Sequence, residues 1–278
     1  MDSTLVAAAL VSAALHAAWN AGVKSSANPP LAMTAQMLAS AVLALIALFW
    51  TGLPAAAAWP WMAVSTTLSM GAVASLLRAY RHGGFGVVYP MARASSVLLV
   101  LPLAAVVAGE WPRPLGLAGV ALVSVAVLML ARGEGITQAL SRPALGWTLA
   151  SAAFTAGYIV CDAQGVRRSG SALAYGCVLA IANATLWSAW QRHKGMRLRA
   201  LLAHGPRTLW MAVAATLSYW LILWVWTRAP IAPASALRDT SAISVAKIAL
   251  TVLKERLDRR VLLAVALATL GTVAIRLA

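Results

Sequence analysis

The sequence predicts an all-α membrane protein with ten transmembrane helices in two inverted five-helix repeats. Three observations predict it. The 278-residue chain is 62% hydrophobic and only 10% charged, more apolar surface than a water-soluble domain of this length can hide. The apolar residues fall into ten stretches near the twenty or so residues that span a bilayer. The segment from Arg93 to Ala131 then recurs without a gap, 145 residues later, as Arg238 to Arg276. In it Arg93, Ser96, Val100, Ala104, Val107, Glu110 and Leu117 correspond to Arg238, Ser241, Val245, Ala249, Val252, Glu255 and Leu262.

The expected spans are 3–23, 31–51, 60–79, 86–108, 114–131, 144–163, 171–190, 207–227, 231–253 and 261–277. Their connections are short and leave no room for a soluble domain. The first stretch lacks a basic leader and a convincing cleavage pattern, so it reads as span one. A polar stretch from Arg132 to Gln138 divides the chain. Residues 1–132 form the first repeat and 143–278 the second, joined by a short linker, 133–142. Five spans per half is an odd number, so the second half enters the membrane upside down relative to the first. Pro90 and Pro102 interrupt span four, and Pro230 and Pro233 open span nine. Such breaks mark helices that line a cavity or bend during a transport cycle.

The net charge of +15 sits mostly in the loops. Fourteen basic residues lie in the odd-numbered loops against five in the even loops and tail. That asymmetry places the odd loops in the cytoplasm and both termini outside, and it accounts for the charge without nucleic acid. Cys161 and Cys177 both lie in apolar spans and read as small core residues; no metal-ligand spacing occurs.

Several motifs resemble the EamA-type members of the drug/metabolite transporter superfamily. His16-Ala17-Ala18-Trp19-Asn20 followed by Lys24 looks like the opening of that family. Tyr89-Pro90-Met91-Ala92-Arg93 followed by Gly109-Glu110 resembles its span four. Tyr158 with Asp162, Gly165, Val166 and Arg167 resembles the start of its second half. Leu237-Arg238-Asp239-Thr240-Ser241 followed by Lys254-Glu255-Arg256-Leu257 resembles span nine and its end. The likeness covers the whole chain. It implies a ten-helix carrier with a central cavity, usually an exporter in bacteria, and it specifies no substrate. Some relatives place both termini in the cytoplasm, against the charge count.

A charged group within a bilayer is costly and so asks for a reason. Arg93 lies about 10 Å into span four, and Arg238 takes the same place in span nine. Both are expected to present guanidinium forks to a carboxylate, phosphate or phosphonate. Lys247, nine residues past Arg238, matches Pro102 in the first half and is a third candidate ligand. Against these three cations the spans hold Asp162 and Asp239, leaving one positive charge for an anionic substrate to neutralise. His16 and Asn20 are four apart and share a helical face, as do Tyr158 and Asp162 at the equivalent place in span six. All of them face a common cavity in this reading. Asp162, His16 and Asp239 are the proton-coupling candidates. Trp19, Trp220 and Trp224 are expected to contact the apolar part of the substrate. Glu110 and Glu255 read as loop-edge ion pairs, with Arg113 and with Arg256 or Arg259.

An enzyme is disfavoured. No HExxH, GxSxG or glycine-rich phosphate loop occurs, and only Asp162 and Asp239 are acidic within the spans. A channel needs a ring of like ligands, whereas duplication is the mark of a secondary carrier. The expected function is therefore a secondary transporter using alternating access. It exports a small anionic or zwitterionic metabolite such as an amino acid. The alternative is a transporter of neutral or cationic amphiphiles with Asp162 or Asp239 as ligand. No cofactor is expected. The partners are the substrate and the bilayer of a bacterial-type inner membrane, and the chain is a monomer or homodimer.

Overall fold

Polar residues punctuate the apolar runs, and the helices begin and end there. Asn28, Ser141 and Ser171 each accept a backbone N–H of the first helical turn, from Leu31, Ala144 and Ala174. Each bond satisfies a donor that the helix start leaves without a partner. Pro29 and Pro143 sit beside two of these caps, where a missing N–H costs nothing. Gly109 has a positive φ of 68°. Its N–H bonds Ala105 and that of Glu110 bonds Ala104, which ends a helix sharply and aims Glu110 inward.

The computed structural model describes all residues except 83–84, 112, 132–140, 197–204, 240–262, 264–265, 268–269, 272 and 276–278. At a few further helical positions, Tyr89, Pro90 and Asp239 among them, it describes the backbone alone. The long elements are α1 (Ser3–Lys24), α2 (Pro29–Thr51), α3 (Trp59–His82), α4 (Phe85–Ala108) and α5 (Pro114–Ala131). After the linker come α6 (Arg142–Arg168), α7 (Ala172–His193), α8 (Pro206–Trp226) and α9 (Ile231–Asp239). A single 3-10 turn, Ala56–Ala58, precedes α3. The described residues contain no strand. Seven helical stretches among them are long and apolar enough to cross a membrane. In the expected tenth span the described positions, from Leu263 to Ile275, are helical.

Helices of one half pack chiefly on helices of the other. The closest pairings are α3 with α6, α1 with α8, and α2 with α7, while α4 lies against both α5 and α6. Small polar side chains tie these pairs. Ser12 and Ser218 each donate to the other's carbonyl, at 2.6 and 2.8 Å, and Ser151 donates to the carbonyl of Ala72 at 2.9 Å. Alanines fill the seams, with Ala9, Ala17, Ala152, Ala156 and Ala163 fully buried; such small residues let helix backbones approach closely. A close approach of two backbones joins α5 to the last described segment. A Cβ added at Gly119 would stand 2.7 Å from the carbonyl oxygen of Gly271, and the converse distance is also 2.7 Å. Large apolar side chains face outward, Phe49 at 86% and Val106 at 83% exposure. A soluble protein does not present such a surface; a lipid-facing one does.

Candidate functional site

A cavity of about 210 Å³ opens among α1, α2, α3, α4, α6, α7, α8 and α9. It brings together seven of the residues singled out from the sequence: His16, Trp19, Asn20, Arg93, Tyr158, Trp220 and Arg238. Each element supplies them by register. His16 and Asn20 are one turn apart on α1, and the Asn20 amide donates to the His16 carbonyl at 2.8 Å. Arg93 lies two turns into α4, and Arg238 reaches the same region from α9.

The two arginines meet at one imidazole. The Arg93 Nη2 lies 3.0 Å from His16 Nε2, and the Arg238 Nη2 lies 3.2 Å from His16 Nδ1. His16 and Arg238 are each only 5% exposed. The Trp19 ring stands edge-on to the imidazole at 5.2 Å. The Arg238 guanidinium lies over the Tyr219 ring, 5.7 Å from its centroid, and its Nε is buried without a hydrogen-bond partner. Two fixed positive charges therefore face one cavity wall, in surroundings of low polarity that strengthen their pull on an anion.

Asp162 stands apart from that wall. It is fully buried, one turn along α6 from Tyr158. Its carboxyl group accepts from three hydroxyls: Ser65 on α3, Tyr175 on α7 at 3.1 Å, and Tyr219 on α8. Tyr219 is the link, because it lines the cavity and also donates to Asp162. Trp224, expected beside Trp220 in the pocket, lies elsewhere. One turn further along α8, it packs under the Arg228 guanidinium at 4.9 Å and lines a separate niche with Thr227. Lys247 and the Asp239 side chain lie outside the described residues.

On the side away from α2's start, a cluster of polar contacts lies beyond the cavity. Glu110 pairs with Arg167 at 2.6 Å and also accepts the Ile231 N–H at 2.6 Å. Arg167 in turn donates to the carbonyls of Trp226 and Ala229 at 2.8 and 2.9 Å. The loop-edge ion pair expected of Glu110 thus has Arg167 as a partner, and the knot fastens the ends of α4, α6, α8 and α9. By helix rise it lies about 9–14 Å beyond the cavity along α6 and α8.

Residues 142–277 match the EamA-like transporter family. The second half of this chain belongs to that family. No curated protein matches the chain. Among solved structures, one described only as "Crystal structure of protein" superposes with a TM-score of 0.77 at 14% identity, covering 99% of this chain and 96% of its own. At that identity the likeness speaks for the fold alone. With its apolar helices, the chain is a multi-pass membrane protein whose second half matches a transporter family. The EamA-like half supplies Tyr158, Trp220 and Arg238 to the cavity, and the first half supplies His16, Trp19, Asn20 and Arg93.

Sequence reasoning missed much of the wall. Met33, Gln36, Met37 and Ser40 come from α2, and Asn183 and Thr216 from α7 and α8. Ser65 and Tyr175, which hold Asp162, were also missed. Small polar residues are common at helix seams in membranes, so nothing in the linear pattern sets these apart.

Proposed function

We propose that the chain is a secondary transporter of ten helices in two inverted repeats, 1–132 and 143–278, exporting a small anionic or zwitterionic metabolite such as an amino acid. One observation carries the reading. Arg93 and Arg238 occupy equivalent positions of the two halves, and they converge on opposite nitrogens of His16 inside one cavity. The packing scheme supports the repeat: exchanging the halves turns the α1–α8 pairing into α6–α3, and both are extensive.

Arg93 and Arg238 bind the anion, with Lys247 as a further ligand. Trp19 and Trp220 contact the rest of the substrate, and Asn20 and Tyr158 offer hydrogen bonds to it. Asp162, His16 or Asp239 carries a coupling proton, and Tyr219 connects Asp162 to the substrate. Asp162 lies outside the cavity wall with three hydroxyl donors of its own, which weighs against it as a direct ligand for a cation. The loop charges bear on which side the cavity faces. The cavity lies toward the α1–α2 and α3–α4 connections, which charge asymmetry assigns to the cytoplasm. The Glu110–Arg167 knot ties the helices at the opposite end, and in this reading the substrate enters from inside. Rocking one repeat against the other would exchange the two ends.

The test is thermal stabilisation of the purified protein by amino acids, organic acids, phosphorylated and phosphonate compounds, and cationic drugs. A ligand of the folded form alone raises apparent stability by mass action. Anionic or zwitterionic compounds should stabilise the wild type, and Arg93→Ala and Arg238→Ala should lose the effect while remaining folded. Stabilisation by cationic drugs alone would sink the reading.

A further inference from the structure

The duplicated sequence presents Arg93 and Arg238 as equals, but His16 makes them unequal. A guanidinium only donates hydrogen bonds, and a neutral imidazole has one acceptor nitrogen and one N–H. A ring protonated at both nitrogens would set N–H against N–H on both sides. With a neutral ring, one arginine is hydrogen-bonded to His16 and the other faces a second donor. The shorter contact is the one between His16 Nε2 and Arg93, 3.0 Å against 3.2 Å for Nδ1 and Arg238. Arg238 is also the guanidinium whose Nε is buried without a partner. Asp162 attracts it through space, but the hydrogen bonds to that carboxylate come from Ser65, Tyr175 and Tyr219.

Resting on the anion-site reading above, we propose that His16 is a positioning residue fixed in its Nδ1–H tautomer. It accepts from Arg93 through Nε2 and turns its N–H toward Arg238. The Nδ1–Arg238 contact is then a pair of opposed donors, which an acceptor oxygen resolves. A carboxylate or phosphoryl oxygen of the substrate settles there, taking one hydrogen bond from His16 and one or two from Arg238. Arg238 is the anchor of the anion. Arg93 holds the ring and adds its charge.

The full-length protein labelled with ¹⁵N-histidine tests this directly. The chain has four histidines, so the His16 signals are those lost in His16→Gln. Without added anion, Nδ1 should carry the proton and Nε2 should not. Acetate or methyl phosphate should move the Nδ1 resonance while Nε2 stays unprotonated, and the two probes separate carboxylate from phosphoryl recognition. Arg238→Gln should weaken the binding by about tenfold or more, and Arg93→Gln by less, in line with the strength of charge-assisted hydrogen bonds. Arg238→Lys, which keeps the charge without the fork, covers the case in which Arg238→Gln does not fold. An unprotonated Nδ1 in the wild type overturns the proposal, as does anion binding that moves Nε2 and depends on Arg93 more than on Arg238. If neither probe perturbs His16 or stabilises the wild type, the anion-site reading itself fails.

Discussion

At the scale of single residues, the Asp162 carboxyl is an ionisable group buried completely inside the protein. It has no cation among its hydrogen-bond partners; three neutral hydroxyls hold it instead. Asp162→Asn keeps the volume but turns an amide N–H₂ toward groups that were donating. It should lower stability by about 1–3 kcal/mol, the usual cost of an unmatched buried polar group. Thermal unfolding in detergent measures it; an unchanged midpoint would mean that the three hydroxyls contribute nothing. Gly165 guards the same cluster, because an added Cβ would stand 2.6 Å from the Tyr175 hydroxyl. Gly165→Ala should therefore displace Tyr175 and perturb Asp162 without touching either residue chemically.

Between elements, two contacts decide how the helices are held. The Arg167 knot gathers five backbone and side-chain groups at the ends of α4, α6, α8 and α9. Arg167→Met should cost about 1–3 kcal/mol, because it strands Glu110 half-buried and leaves two carbonyls without their donor. It should also open that end of the cavity, so a cysteine placed at Tyr158 should react faster with a thiol reagent added from the α4–α5 side. Equal labelling rates in both proteins would show that the knot does not close the cavity. The Gly119–Gly271 crossing is the second contact. Its obstacle is backbone oxygen rather than a flexible side chain, so Gly119→Val cannot be absorbed by a rotamer change and should destabilise by about 1–3 kcal/mol. A variant as stable as the parent would mean that α5 is free to shift there.

At the level of the whole molecule, the loop charges and the proposed inverted repeat make a joint prediction about orientation. Single cysteines at Ser3 and Ala278 should both label from outside intact cells. A cysteine at Ala27, in the α1–α2 connection, should label only after the membrane is opened. Labelling of both ends only after opening would reverse the direction assigned to transport, and ends on opposite faces would remove the ten-helix inverted repeat.

Seven of the expected spans, those found among the described residues, were legible in the sequence because a bilayer imposes one simple rule, a run of apolar residues of set length. The expected 114–131 and 86–108 match α5 and α4 within a residue, while 144–163 became the longer Arg142–Arg168, since polar Asp162, Gln164 and Arg167 are held by partners inside the protein. The duplicated arginines were legible too, because charge in an apolar run stands out. By itself, then, the sequence determined the environment, the approximate extent of the long apolar helices and the pair of cations, all of which depend on local composition. Only the tertiary structure decided that His16 lies between those cations, that Tyr219 ties Asp162 to the cavity, that Trp224 belongs elsewhere and that Arg167 meets Glu110. The reason is physical: these contacts join residues far apart in the chain, and helix packing leaves no mark on the periodicity of either partner.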